Sequence, residues 1–350
     1  MSNRIEVDPN FLPNNTIEDG MCFFDIETQP LKIYGVFKEN GLYRRMPEEV
    51  ARSVSAGVYN LHTNTAGGRV RFKTNSRKIT VIAKFTDIVL RPHFAPTGRA
   101  GLDMYETIDG EQRYSGTFIP VTGVCDGFKN TVTRTNNKLC DITINMPLYT
   151  NIASLQIGFE EGSLILPPEP YKTENPIVFY GSSITQGGCA NRAGTSYQGF
   201  ISRALDCDYI NLGFSGNAKG EDTMIDYIKG LSMSAFVYDY DHNAPDCAHL
   251  EATHEKMFKA IREAHPDIPI LMMSRPKFYL DDDEKKRLEI IRNTYINALN
   301  TGDKNVYFIE GPKLMELVGD EGTVDGCHPT DLGFFSMATE ILKVLKPLFR

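Results

Sequence analysis

A chain of 350 residues exceeds the usual size of one domain, so two domains with separate cores are expected. Lys and Arg number 37 against 45 Asp and Glu, a formal charge of −8, and no long basic block breaks that balance, which argues against a nucleic-acid surface. No stretch approaches the roughly 18 apolar residues of a membrane span, and Met1 to Phe11 holds no apolar run of the signal-peptide kind, so no membrane partner is expected.

Residues 1–166 read as an all-β domain. Arg69 to Thr74, Lys78 to Phe85, Tyr114 to Pro120 and Cys140 to Met146 alternate apolar and polar residues, the period-two pattern of half-buried antiparallel strands. Asn130 to Leu139 adds β-branched residues ahead of an Asn-Asn turn. A β-sandwich of jelly-roll type suits such a segment, interrupted by one short helix around Pro47 to Val54.

Residues 167–176 carry four prolines in ten positions, which can continue neither a sheet ladder nor a helix, so they form a semi-rigid linker and the domain boundary. From 177 to 350 the rhythm becomes strand, helix, strand. Strands are predicted at 177–180, 208–214, 235–240, 268–273 and 306–310, and helices near 196–206, 221–231, 248–265, 283–300 and 331–347. The strands are apolar without alternation and the helices amphipathic, which indicates a parallel sheet covered on both faces. A three-layer α/β domain with a five-stranded, flavodoxin-like sheet follows.

Functional groups of such sheets lie beyond the carboxyl ends of the strands. That rule singles out Ser183, Ser215-Gly216, Asp241-His242-Asn243, Ser274-Arg275 and the loop from Asp325 to His328. Ser183 sits where a strand gives way to a helix, and free backbone N–H groups there favour a developing negative charge. Gly-Ser-Ser is equally a turn and helix cap. Asp325 can accept from the Nδ1–H of His328 while Nε2 faces a nucleophile, although Asp-x-x-His also serves as a loop leading into a helix. The Ser183 N–H, the Gly216 N–H and the Asn243 side-chain amide are candidate oxyanion donors; Gly216 also suits a βα turn, and Asn243 a turn before Pro245.

Taken together, Gly181-Ser182-Ser183-Ile184-Thr185, Gly216, Asn243 and Asp325 to His328 resemble, in order and separation, the four blocks of the SGNH (GDSL-type) esterase and lipase superfamily, over roughly residues 175–350. The resemblance implies Ser183 as nucleophile, His328 as base, Asp325 as its orienting partner, and Gly216 and Asn243 as oxyanion donors beside the Ser183 N–H. Two positions depart from the family pattern. Gly-Asp-Ser is here Gly-Ser-Ser, where Ser182 can still cap a helix, and Gly-x-Asn-Asp is Asp241-His242-Asn243-Ala244. The variant serine block, with Gly41 to Pro47 and Val58 to Gly68, resembles a branch in which a β-sandwich precedes the catalytic domain, a carbohydrate-esterase-like arrangement.

That resemblance implies a serine esterase acting on acetylated mono- or oligosaccharides without metal or organic cofactor. A lysophospholipase or thioesterase would share the same residues, but no apolar lid for a lipid chain is evident; a non-catalytic carbohydrate-binding protein on a hydrolase scaffold is the third reading. Arg192 and Arg275 fall in loops on the expected active-site side, where an Arg fork can hold a sugar hydroxyl or carboxylate. His242 adjoins Asn243 as a further substrate contact, and Tyr197, Tyr240 and Phe278 are candidate sugar platforms. His249 and His254, five apart, do not share a helix face and read as surface histidines rather than a metal pair. Asp281 to Glu284 read as charge complementation at a helix start. Seven scattered cysteines (22, 125, 140, 189, 207, 247 and 327), without a Cys-x-x-Cys pair, fit a reducing compartment, so a cytoplasmic protein is expected unless a leader has been removed. Oligomeric state leaves no trace in the sequence.

Overall fold

The computed structural model describes residues 17–18, 20–88, 90–121, 123 and 126–349; Cys125 lies outside them. No helix among these residues is long and apolar enough to cross a membrane. The chain divides into two compact units: one takes the described residues up to Arg45, Thr63–Pro170 and Asn191–Gly194, the other Met46–His62, Tyr171–Ala190 and Thr195 onward.

The first unit is a β-sandwich of two antiparallel sheets. One runs in the spatial order Ile17–Glu18, Met21–Asp25, Thr150–Glu160, Lys78–Ile88 and Gly127–Thr133; the other runs Ile165–Leu166, Arg69–Thr74, Cys140–Asn145, Leu102–Ile108 and Glu111–Phe118, with Lys32–Tyr34 also pairing with Arg69–Thr74. Alternate residues turn inward, so Phe24, Ile79, Val81 and Ile157 of one sheet share a core with Phe72, Leu102, Ile142 and Ile144 of the other. Leu102–Ile108 turns into Glu111–Phe118 through Asp109 and Gly110, both at positive φ (53° and 81°), the conformation a two-residue hairpin needs.

The second unit carries the five-stranded parallel sheet, ordered Cys207–Gly213, Thr173–Gly181, Ala235–Asp239, Ile270–Met273 and Val306–Ile309. Ile177 to Tyr180 are wholly buried, as an interior strand with both faces covered requires. This strand starts inside the proline-rich stretch expected to be linker: Thr173 pairs with Cys207, and a register break before Ile177 takes up Pro176, which has no N–H for the ladder. Val178, Tyr180, Phe236 and Tyr238 face a core closed by the helices Asp222–Lys229, Cys247–Ala264 and Asp282–Asn300. On the opposite face, the Phe179 ring meets Tyr197 edge-on at 5.6 Å, and Tyr197 stacks on Phe334 of the last helix at 6.1 Å.

Where one helix was expected within the sandwich, two stand, Glu48–Val54 and Ala56–Leu61, and both belong to the α/β unit. Met46, Ala51 and Val58 are fully buried in its core, which is why the alternating pattern lapses there.

Candidate active site

The strand Thr173–Gly181 lies where the sheet order reverses, its neighbours being the second and third parallel strands, so the chain leaving Gly181 enters the crevice between two diverging connections. Ser182 caps the short helix Ser183–Gln186 by accepting the Ile184 N–H at 3.1 Å, the role left to it by the absent aspartate. Ser183 Oγ lies 2.9 Å from Nε2 of His328. A Cβ on Gly181 would run into Asp239 and Thr185, and one on Gly213 into the backbone of Thr185 and Gln186, so these two glycines let the serine turn seat directly on the strand ends.

Beneath that turn lies a polar network that the motif reading did not identify. The Tyr197 hydroxyl donates to Thr185 Oγ1 at 3.2 Å, and Thr185 in turn donates to the buried Asp239 carboxyl. Burial pushes the Asp239 carboxyl well above the usual carboxylate range, against the opposing effect of the Thr185 bond. Gln186 Oε1 accepts the Ser215 N–H at 3.0 Å and ties the serine turn to the glycine turn. An acid closing an otherwise apolar strand, Tyr238-Asp239, was the available signal.

Asp325 and His328 occupy a loop closed by the Val324 N–H to His328 carbonyl bond at 2.9 Å, with Gly326 at φ 77° supplying the left-handed residue. Asp325 Oδ2 sits 2.8 Å from His328 Nδ1, while Oδ1 accepts the backbone N–H groups of His328 (2.8 Å) and Cys327 (3.1 Å). Burial alone would raise the Asp325 carboxyl; the hydrogen bonds from His328 and Cys327 outweigh it and hold the group below its ordinary value. An ionised Asp325 on Nδ1 leaves Nε2 as the acceptor facing Ser183, the tautomer that can take a hydroxyl proton.

Gly216 is the third residue of a turn closed by the Asn217 N–H to Phe214 carbonyl bond (2.8 Å), and its φ of 73° is the value that place in a type II turn demands. Asn243 Oδ1 accepts the Ala218 N–H at 3.2 Å, which fixes the amide orientation and leaves the Nδ2 protons as its free donors. Arg287 donates to the carbonyls of Asp241 (2.9 Å) and Ala244 (2.8 Å) and so braces this turn.

The expected substrate contacts fare differently. Tyr197 is 1% exposed within the hydrophobic layer, and Tyr240 is buried equally deeply, so neither is a sugar platform: each ring was needed to fill the space beside the sheet. Arg275 donates to Glu284 at 2.7 Å, a carboxylate it shares with Lys277, so its guanidinium is already engaged. Glu284 also completes a capping box with Asp281. His242 places Nδ1 3.6 Å from Cys327 Sγ. Arg192 belongs to the sandwich unit, bonded to Asp103 (3.2 Å) and Tyr105 (3.1 Å) and stacked over Tyr114 at 4.1 Å. Nor is His254 a surface residue. It is 1% exposed, stacks on Tyr238 at 4.7 Å, and burial lowers its pKa to about 3. Its helix turns that face into the core.

Cys189, at φ 76°, closes the loop after the serine helix, with Sγ within 4.8 Å of a ring nitrogen of His328. Burial, then the neighbouring Asp325 and Cys327, push this thiol up to about 12, so it lines the site as a neutral group.

Residues 174–346 match the GDSL-like lipase/acylhydrolase family, and residues 21–165 match the N-terminus of SGNH-hydrolase-type esterases. Among solved structures, a protein described as a GDSL-like lipase from Bacteroides ovatus is 28% identical with a TM-score of 0.83, over 94% of this chain and 98% of that one. A salicylyl-acyltransferase from a tetracycline biosynthetic pathway is 18% identical (TM-score 0.76, over 95% and 98%), and a family two carbohydrate esterase from Cellvibrio japonicus is 12% identical (TM-score 0.64, over 94% and 98%); both share the fold. No curated protein matches the sequence. Residues 174–346 belong to the GDSL-like lipase/acylhydrolase family and residues 21–165 to the N-terminal domain of SGNH-hydrolase-type esterases, which makes the chain an acylhydrolase of SGNH type.

Proposed function

We propose that the protein is a serine esterase that removes O-acetyl, or similarly short acyl, groups from acetylated mono- or oligosaccharides. The observation that carries the mechanism is the hydrogen-bonded chain from Ser183 Oγ to His328 Nε2 (2.9 Å) and from His328 Nδ1 to Asp325 (2.8 Å). Ser183 attacks the ester carbonyl carbon as His328 Nε2 takes its proton, and the carbonyl π pair moves onto oxygen. The Ser183 and Gly216 N–H groups and Asn243 Nδ2 meet that oxyanion. The intermediate collapses, the sugar oxygen leaves with the proton from His328, and Ser183 carries the acyl group. Water then gives a proton to His328 and attacks the acyl carbon, and Ser183 recovers its proton as acetate departs. Asp325 stays ionised throughout and holds the imidazolium.

The acetylated-carbohydrate assignment draws support from the sandwich preceding the esterase unit, an architecture in common with the Cellvibrio carbohydrate esterase. Its test is acetate release from a panel of acetylated xylo-, manno- and amino-sugar oligomers, run beside nitrophenyl esters from acetyl to decanoyl. Activity rising with chain length, or acetate from none of the oligomers, refutes the assignment and favours a lysophospholipase or thioesterase. Ser183→Ala should abolish hydrolysis; unchanged turnover of nitrophenyl acetate removes Ser183 as nucleophile, whereas a wild-type chain with no turnover above background supports the non-catalytic reading.

A further inference from the structure

We infer that His242 is a positioning residue: through Cys327 it fastens the Asn243 turn to the Asp325–His328 loop, so that the oxyanion donor and the base hold a fixed separation. The inference rests on the mechanism proposed above.

The two loops are built differently. The Asn243 turn is anchored to the body of the α/β unit by Asn243 N–H to the Tyr240 carbonyl (2.9 Å), Ala218 N–H to Asn243 Oδ1 (3.2 Å) and the two Arg287 bonds. In the Asp325–His328 loop, the bonds of Val324 to His328, Gly326 to Thr323 (2.9 Å) and both amides to Asp325 Oδ1 are internal, and they define its shape rather than its place. Asp325 and Gly326 are exposed. Besides the Ser183–His328 bond (2.9 Å), which is the contact to be positioned, Cys327 is well placed to anchor the loop: its Sγ lies 3.6 Å from His242 Nδ1, and its N–H is bonded to the Asp325 carboxylate. Any shift of Cys327 moves the carboxylate and, with it, the imidazole.

The chemistry of the pair fits this work. Burial, then the charge of Asp325, raise the Cys327 thiol, so it is an S–H donor. Burial, followed by Arg275, His328, Lys277 and Arg287, pushes His242 well below its usual value, so Nδ1 is an acceptor on a neutral ring. His242 Nε2 is buried and has no partner among the described residues, a desolvation cost that position, not stability, has to justify.

The test uses the full chain and nitrophenyl acetate, with kcat expressed per active site counted by the nitrophenol burst. His242→Leu and Cys327→Ala should each lower kcat about tenfold with KM within about twofold, and the double variant should also fall about tenfold rather than about a hundredfold, the mark of one shared interaction. Cys327→Ala removes one atom and guards against misfolding of the leucine variant. His242→Asn, which returns an acceptor near the Nδ1 position, should recover most of the rate. Single variants at wild-type kcat, a double variant at the product of the two, or a loss confined to the number of titrated sites would each overturn the inference. Ser183→Ala separates the two levels: a burst persisting in it topples the mechanism itself, whereas uncoupled variants topple only the role of His242.

Discussion

Asp325→Asn offers the sharpest test of the mechanism, because the surrounding bonds dictate how the new amide must lie. Asp325 Oδ1 accepts two backbone N–H groups, at 2.8 and 3.1 Å, and an NH2 group cannot replace it there without opposing donors on both sides. The asparagine oxygen therefore stays at that position and its NH2 faces His328 Nδ1, now 2.8 Å from a donor. Nδ1 must accept, the ring proton moves to Nε2, and the nitrogen meeting Ser183 becomes a donor that cannot take the hydroxyl proton. A histidine held in the wrong tautomer costs about 10⁴ in kcat, which is about 5 kcal/mol of activation free energy. The assay is kcat/KM on nitrophenyl acetate near pH 7.5 with burst titration. Asp325→Ala, which imposes no tautomer, should fall no further than Asp325→Asn although it removes more atoms. An asparagine variant within about tenfold of wild type, or an alanine variant far worse than it, refutes the reasoning. The sign of the pH effect follows from the same bonds. The folded-state pKa of Asp325 lies below its ordinary value of 3.8, so its contribution is complete above that pH and is lost only as pH falls through the lower folded value. Protonation of Asp325 should contribute nothing to loss of activity between pH 7 and 5.

Asn243→Ala should reduce kcat by about 10²–10³ with little change in KM, the usual cost of removing one oxyanion donor; a loss below about fivefold would sink that role. Gly216→Ala meets no atom within 4 Å but must hold φ at 73°, so a stability loss of about 1–2 kcal/mol is expected without any clash, readable as a lower urea midpoint. An unchanged midpoint would mean that the turn relaxes. His254, with a folded pKa of about 3 against an ordinary 6.5, is held neutral, so the unfolded chain binds the extra proton and stability falls as pH drops below 6.5. Between pH 6.5 and 5 this group alone should remove about 2 kcal/mol, and His254→Gln should flatten urea midpoints over that interval; an equally steep dependence in the variant refutes the burial account.

What the chain spelled out was periodic. All five parallel strands and the turns after the first four were legible, because an interior strand must be apolar throughout and functional groups gather at its carboxyl end. Ser183 and the Asp325–His328 pair were legible as a candidate site in order along the chain. Their separation was not, since it depends on glycines such as Gly181 and Gly213 that let backbones approach. The misread residues share one cause: polarity along a sequence does not say which way a side chain turns. Tyr197 and His254 carry polar atoms yet are buried, each with one hydroxyl partner, Thr185 and Thr294 respectively. Arg275 looked available because Glu284, nine positions away and across a loop, is brought to it only by folding. Asp239 was hidden as the last residue of an apolar strand, where its burial, rather than its spacing, gives it significance.

The placement of Met46–His62 bears on biosynthesis. The peptide leaves the sandwich at Arg45, contributes Met46, Ala51 and Val58 to the α/β core, and returns at Thr63. During translation these helices emerge more than a hundred residues before Tyr171, the next residue of their own unit, so they must wait undocked on the ribosome while the strands on both sides of them are already available to pair. Cutting the chain at the proline-rich stretch would likewise leave the C-terminal fragment with an uncovered apolar face. A 167–350 fragment should therefore aggregate unless a 46–62 peptide is supplied with it.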